Sequence, residues 1–556
     1  MIKKIKKIFF IISDFKKKIF FLVTFFFFTA LLDILGLSLI GPFLSIALNN
    51  NYEFFDIFQI KNLNKDNIFF IICITIFFLF VIKVLISLKL SKLVINFAQF
   101  QQVHLRLKFL DKIQKSSFNE LNKRSVSEYL NIQQSVIPIF SNLLMGLVQM
   151  LGEIVIGLVI IIYLFIKNPI IFSFLVSLIF ITILIYDLYA RKSLVTSGKE
   201  GNIYSAKMIS FIKEGLSGFM EIKIFNKENF IKNKLNLAAT KYAHSQININ
   251  FMNVIPRYLI EIIMLLTIII IALLIKYINL NENGELIPLL GVYAFGAIRI
   301  LPIARNISYT LNRLNASTDS INILNEQFKT FESNKRIYKQ KKLYKNFKKL
   351  NLENIYFSYS KENKILEGFS LEIKKSQKIL IKGKSGRGKT TLLNIIMGLL
   401  YYDKGSIFLN DKLISDIKTI NYLFAYIPQD TFIINDTIEN NICLGEKITK
   451  SNQTKLNKAI KEADLMGLVK TFKDRENTII GEGGQSLSGG QKQKIAIARA
   501  IFHERSILVL DEATNALDNK SEGEIFNKLS DNKNLTIIAV SHKKLNSYKY
   551  NYLINI

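Results

Sequence analysis

Cysteine, histidine and acidic residues are in short supply in this chain of 556 residues. Cys73 and Cys443 are the only two cysteines, one inside an apolar run and one in the second half, with no CxxC pair and no Cys/His cluster. A disulfide framework and a structural zinc site are therefore excluded as organising principles. The four histidines, His104, His244, His503 and His542, are dispersed. No internal repeat occurs, and no low-complexity tract beyond Phe-rich runs such as Phe25 to Phe28. The basic start "MIKKIKKIFFIISDF" is followed by no small-residue cleavage site, which argues against a signal peptide. Asp and Glu number 43 against 73 Lys and Arg, a formal net charge of +30. The lysines are scattered among Ile, Asn and Phe rather than gathered, so nucleic-acid binding is not expected.

What the chain has is apolar length. Half of all residues are hydrophobic, concentrated in the first 310 or so, while the remainder has the alternating texture of an α/β protein. Residues 1–15 put Ile2, Ile5, Phe9 and Ile12 at helical spacing against Lys3, Lys4, Lys6 and Lys7, a pattern expected of an interfacial amphipathic helix. Six apolar stretches follow, at about 19–47, 67–90, 138–166, 170–190, 255–279 and 286–310. Each approaches or exceeds the roughly 20 residues that a spanning helix needs. The connections after the first, third and fifth hold few basic residues, whereas those after the second and fourth are long and rich in Lys and Arg. The positive-inside rule then places the long connections and both termini in the cytoplasm. Within those connections, Ser116–Leu130 and Phe211–Phe225 are amphipathic and suited to touch another domain. The expected division is a membrane domain over 16–315, a charged linker over 316–349, and a soluble α/β domain over 350–556.

In that last domain "KILIKGKSGRGKTTLL" reads as a strand, the loop Gly383-Lys384-Ser385-Gly386-Arg387-Gly388-Lys389-Thr390, and a helix that continues with Thr391. Glycines let backbone N–H groups curl around phosphates, Lys389 meets the β/γ charge, and Thr390 can ligate Mg2+. A second strand, "SILVL", ends in Asp511 and Glu512. A carboxylate there can serve a Mg2+ ion, and its neighbour can orient or deprotonate an attacking water. Between them, Ser488, Gly489 and Gly490 open a helix and form a second anion-binding terminus.

Leu487-Ser488-Gly489-Gly490-Gln491 resembles the signature of ATP-binding cassette (ABC) proteins, and the companion motifs follow in order. Tyr359 resembles the adenine-stacking aromatic, Gln429 in "YIPQD" the Q-loop glutamine, Asn515 to Asp518 the D-loop, and His542 the switch histidine. Glu482 in "TIIGEGG" matches the exporter-type segment ahead of the signature. With six spans before one cassette, the chain resembles an ABC exporter half-transporter: a polytopic α-helical membrane domain followed by an α/β P-loop nucleotide-binding domain. The resemblance implies a homodimer in which Lys389 and its loop from one subunit and Ser488 to Gln491 of the other clamp each ATP. It also implies Glu512 as general base, His542 on the γ-phosphate, Gln429 sensing Mg2+ and water, and the two amphipathic cytoplasmic segments as coupling helices. Thr390, Asn515 and Lys494 depart from the commoner residues without removing a catalytic group.

Two arginines, Arg299 and Arg305, stand inside the sixth apolar stretch around Pro302, and Arg257 near the start of the fifth, one turn from Glu261. A charge at the bilayer centre costs about 2.5–3.5 kcal/mol even on insertion scales. Either Arg257 pairs with Glu261 and Arg305 snorkels, or the three form a cationic ring for an anionic headgroup, which guanidinium suits through bidentate bonding. "IPRYLIE" and "AIRILPIARN" are similar to segments of bacterial flippases of lipid-linked oligosaccharides. That similarity implies an inner-membrane protein that moves an amphipathic anionic lipid or lipid-linked glycan. An exporter of peptides or hydrophobic drugs is the alternative.

Overall fold

The computed structural model describes residues 2–12, 16–49, 65–116, 118–122, 124–167, 169–277, 286–334, 347–360, 363–384, 386–484, 486–512, 527, 529, 534–540 and 550–555. The chain divides into two compact units, Met1–Ser116 with Asn122–Asn334 and Ser117–Leu121 with Lys335–Ile556.

The first unit is helical. A short helix, α1 (Ile2–Ile11), precedes six long ones: α2 (Lys16–Asn49), α3 (Lys65–Lys115), α4 (Ile137–Lys167), α5 (Pro169–Ser217), α6 (Glu228–Tyr277) and α7 (Leu286–Ala316), followed by α8 (Thr318–Asn334). Over its described residues, each of the six apolar stretches lies in one long helix. Among the described residues, Lys17–Gly36, Phe69–Lys115 and Val126–Tyr163 are long and apolar enough to cross a membrane by length and composition. Phe20, Phe77, Phe78, Leu85 and Leu188 point outward, each more than half exposed. In water such a belt would be a liability; in hydrocarbon it needs no partner, because a helix satisfies its own backbone groups.

Several helices run well past their apolar stretches. The lysine-rich tail of α3 and the polar ends of α5 and α6 continue as regular helix, leaving the short helices Phe118–Leu121 and Phe219–Ile224 at the turns. Phe211–Ser217, expected as part of an amphipathic surface segment, belongs instead to α5; the separate helix begins at Phe219. Its Phe219, Met220 and Ile224 are exposed. Ahead of α4, the helix Val126–Asn131 passes through a π-turn, Ile132–Val136.

Two expectations change here. One side of α1 packs inward, where Ile8 and Ile11, with Ile12 just beyond it, are buried with Phe109, Phe140, Leu324 and Phe328, while Phe9 of the expected apolar face stays exposed. Lys4 donates to Asn315 (2.8 Å) and Lys7 to Asn322 (2.6 Å), fastening α1 to the α7–α8 segment. The segment expected as linker from residue 316 opens with α8, whose Ile321, Leu324 and Phe328 are core residues of the first unit, so that unit runs on to Asn334.

The second unit holds two sheets. β1 (Lys349–Ser360), β2 (Asn363–Lys374), β4 (Lys404–Leu409) and β5 (Lys412–Leu413) form an antiparallel sheet in the order β2-β1-β4-β5. β6 (Phe424–Ile427), β7 (Ile507–Asp511), β8 (Thr536–Val540), β3 (Lys378–Lys382) and β9 (Tyr552–Asn555) form a parallel sheet in the order β6-β7-β8-β3-β9. "ILVLD" and "TIIAV" are buried at every position, as strands covered on both faces must be. Leu392, Leu393, Ile395 and Ile396 of α9 (Lys389–Ile396) are buried in the core with Val509 and Ile538. On the other side lies a cluster that includes Ile495 and Ile497 of α10 (Gly489–Phe502).

Gly198 of α5 meets the end of α7 so closely that a Cβ there would run into the Ala316 carbonyl oxygen. Gly198→Ala is expected to lower the thermal-unfolding midpoint of the purified protein, overpacking costing about 1–3 kcal/mol. Gly467→Ala, whose Cβ meets nothing within 4 Å, should leave the midpoint in place; equal midpoints for the two variants would refute this packing.

Candidate functional site

The parallel sheet gathers the phosphate-binding motifs at the C-terminal ends of its strands. In register, Ile381 of β3 pairs with Val540 of β8, and Val540 with Asp511 of β7. Two strand spacings, about 10 Å, therefore separate the start of the glycine loop from the carboxylate. Ile427 of β6 pairs with Leu510, so Gln429 leaves the sheet at this same end and is exposed.

The loop itself is built for close approach. Gly386 and Gly388 sit at φ +83° and +87°, the left-handed region that other residues adopt only at a cost, and a Cβ on Gly388 would strike Ile365. Gly383 is half-buried, while Lys384 and Arg387 are exposed at the loop's rim. Lys389, buried at the first position of α9, turns its ammonium back to donate to the carbonyls of Gly383 (2.8 Å) and Lys384 (3.1 Å). A buried ammonium held by neutral carbonyls is one that a phosphate oxygen would bind more strongly. Thr390 is exposed on the first turn, and the buried Thr391 lies 3.2 Å from the Tyr359 hydroxyl, which ties the aromatic residue to α9. Ser385 lies outside the described residues, as do Asp518 and His542.

Asp511 is buried at the end of β7, and burial raises its pKa above the ordinary carboxylate value, with Lys389 and a hydrogen bond pulling the other way. That hydrogen bond comes from Tyr426, whose hydroxyl donates to Asp511 Oδ2 at 3.1 Å. Tyr426 is itself pushed up by burial and by the Asp511 charge. This tyrosine was not among the residues singled out from the sequence; its role depends on the β6–β7 register. Glu512 follows at φ +51°, with its N–H on the Val540 carbonyl at 3.1 Å. A non-glycine residue held there stores strain of the kind found at functional positions. The donor set of Thr390, Gln429 and Asp511 fits Mg2+, a hard cation bound by one or two carboxylates together with phosphate.

The helix start expected as a second anion-binding terminus is a capped helix. The Gln491 N–H donates to Ser488 Oγ (3.3 Å) while Gln491 Oε1 accepts from the Ser488 N–H (2.8 Å), a reciprocal capping box. Ser488 and Gly489 are exposed and Gly490 half-buried, leaving the helix start accessible. The other end is anchored: Arg499 donates to the carbonyls of Asn441 (2.9 Å) and Phe432 (3.0 Å).

In the helical unit the three arginines are not one cluster. Arg257 pairs with Glu261 at 2.8 Å, one turn away on an exposed face of α6. Arg305 is exposed. Arg299 lies 3.8 Å from Asp33 of α2 and over the Phe80 ring at 5.5 Å. Asp33, only 5 % exposed, also pairs with Lys83 of α3. Neither Asp33 nor Lys83 was singled out from the sequence, since nothing local marks them as partners of Arg299. Two cations thus share one carboxylate across three helices.

The sequence matches the family described as "ABC transporter transmembrane region" over residues 19–286 and that described as "ABC transporter" over residues 366–515. It is similar to the ATP-dependent lipid A-core flippase 2 of Colwellia psychrerythraea, 39% identical over 211 residues, covering 36% of this chain and 35% of that one. It is also similar to the multidrug resistance-like ATP-binding protein MdlA of Buchnera aphidicola, 32% identical over 366 residues, covering 63% and 61%. The ABC transporter B family member 24 of Arabidopsis thaliana is 36% identical over 197 residues, covering 35% and 29%. The matched stretches thus span between about a third and three-fifths of these relatives' own length. The fold matches the ATP-bound structure of a bacterial Atm1-family ABC exporter with a TM-score of 0.78 at 18% identity, covering 98% of this chain and 94% of that one. With a transmembrane region and a cassette matched in order in one chain, the protein belongs to the ABC transporters and has the fold of an exporter.

Proposed function

We propose that this chain is half of a homodimeric, ATP-driven exporter that moves an amphipathic anionic lipid or lipid-linked oligosaccharide outward from the cytoplasmic leaflet of a bacterial inner membrane, with both termini in the cytoplasm. The observation that carries the engine is the strand-end arrangement of the Gly386–Lys389 loop, buried Asp511 and strained Glu512 on one parallel sheet. Glu512 takes a proton from the attacking water as that water's oxygen bonds to the γ-phosphorus of ATP and the bond to the β–γ bridging oxygen breaks. Lys389 holds the phosphate charge and Tyr359 stacks on adenine, while Thr390, Gln429 and Asp511 would hold Mg2+, which when bound would supply positive charge against the charge building on the phosphate oxygens. Ser488 to Gln491, at a capped helix start, serve the nucleotide of the partner subunit; Asp518 and His542 take the D-loop and switch roles that the family implies.

The substrate reading rests on the Asp33–Lys83–Arg299 group. Lys83 and Arg299 bring two cations to one buried carboxylate among apolar helices, a place suited to an anionic headgroup. Names of the lipid A-core flippase relatives agree with a lipid substrate, while that of the multidrug resistance-like relative agrees with the alternative of hydrophobic drugs.

In proteoliposomes carrying a fluorescent polyprenyl-diphosphate oligosaccharide, ATP should drive the label across, and Glu512→Gln should slow hydrolysis by about 10²–10⁴-fold, the usual worth of a general base. Arg299→Ala is expected to cut lipid-stimulated ATPase about tenfold or more, the worth of a charge-assisted hydrogen bond of ~1.5–3 kcal/mol. Unchanged stimulation in Arg299→Ala would sink the anionic-lipid reading, and hydrolysis without movement of this lipid would turn the search to peptides and drugs. Tyr426→Phe should raise the Mg2+ concentration for half-maximal ATPase by about three- to tenfold, since Asp511 loses a donor that orients it; an unshifted Mg2+ curve would show that the contact does not matter.

A further inference from the structure

Pro256 stands inside α6, where it has no N–H to give to the carbonyl of Met252, four residues back. Among apolar helices such a carbonyl must find its donor elsewhere. It finds two, on two other helices: the Tyr186 hydroxyl of α5, and Asn312 Nδ2 of α7 at 2.9 Å. Both side chains are buried, at 6 % and 1 % exposure. Asn312 Nδ2 also lies 3.4 Å from the Tyr186 oxygen, a second acceptor within its reach. One residue along α6 from Met252, and one turn along α7 from Asn312 on the same face, two groups have the opposite problem. Asn253 Oδ1 and Ser308 Oγ are fully buried, and neither has a hydrogen-bond partner among the described residues. Buried polar atoms left unpaired are costly, and these two are complementary, since the amide oxygen accepts and the hydroxyl can donate. Tyr186, Met252 and Asn312 all fall within about one turn of the ends of the fourth, fifth and sixth apolar stretches, where span gives way to polar arm.

We infer that the contact between α6 and α7 is a two-position joint of the transport cycle, with Pro256 as its hinge. In the position of this structure Asn312 holds the Met252 carbonyl. In the other, α6 bends at Pro256, Asn312 passes to the Tyr186 oxygen, and the Ser308 hydroxyl donates to Asn253 Oδ1. Tyr186 keeps the carbonyl in both, so the exchange leaves none of these groups bare. Bending α6 elsewhere would break a backbone hydrogen bond that lipid cannot replace, whereas at Pro256 that bond is already missing. Beside the joint α5 and α7 are tied directly to each other, Asn315 Nδ2 donating to Asp187 Oδ1 at 2.8 Å, so α6 is the element left to move. Two arrangements, each with its own hydrogen bonds, make a discrete switch rather than a gradual deformation. The inference rests on the ATP-driven reading above and is independent of the molecule carried.

The test is a cysteine cross-link in the full-length protein in phosphatidylcholine nanodiscs, with Cys73→Ser and Cys443→Ala removing the native thiols and Asn253→Cys with Ser308→Cys placed on the joint. Copper-phenanthroline oxidation is expected to join the pair about tenfold faster in one of two conditions, nucleotide-free or with ATP and Mg2+. Pro256→Ala should remove that difference, because an alanine restores the N–H to Met252 and with it the straight helix. Equal rates in both conditions, no cross-link in either, or a difference that survives Pro256→Ala would overturn the inference. A second measurement avoids the introduced cysteines: 3-fluorotyrosine at position 186 should show a 19F resonance that moves between the two conditions, and one that stays fixed would overturn the joint as well. The two readings fail separately. A native protein that hydrolyses ATP while cross-link and resonance stay fixed removes the joint alone, whereas a joint that responds to ATP without hydrolysis removes the hydrolytic reading and leaves the joint.

Discussion

The parallel pairing of β8 with β7 on one side and β3 on the other is the constraint on which the nucleotide chemistry of this chain depends. Val540 is the shared partner of Ile381 and Asp511, so the glycine loop and the carboxylate are placed by backbone hydrogen bonds within the sheet, not by side chains. Once that register is set, the glycine loop that leads to Lys389, Glu512 and Gln429 all leave the sheet at the same end. The burial of all five residues of β7 and all five of β8 makes a slip of register costly, because one residue of shift would turn every side chain to the other face. Tyr426 adds a second tie: its hydrogen bond to Asp511 joins the strand that leads to Gln429 to the strand that ends in Asp511.

The helical unit obeys a different rule. In hydrocarbon the backbone is satisfied by the helix itself, and the open question is what becomes of each charge. Arg257 is answered locally by Glu261. Asp33 is answered from two other helices, by Lys83 and Arg299, so three spans are held together by groups that would each be expensive alone. Removing Asp33 would leave Lys83 and Arg299 as two like charges near each other.

Those two rules explain how far the sequence alone could be read. The glycine loop, the Asp511-Glu512 pair and the capped signature helix are local patterns, and each motif among the described residues falls at the end of the strand or the start of the helix that its spacing implied. The apolar stretches likewise fall within long helices, because twenty apolar residues in a row leave few other choices. The arms beyond them favour helix in their composition too, and the tail of α3 to Lys115 continues as regular helix with Phe100, Val103 and Leu107 exposed among its lysines and glutamines. Least legible were contacts between distant segments. Asp33 sits in "LLDILG", with nothing nearby to announce Arg299, and the pairing of β9 with β3 depends on an edge that only the folded sheet presents.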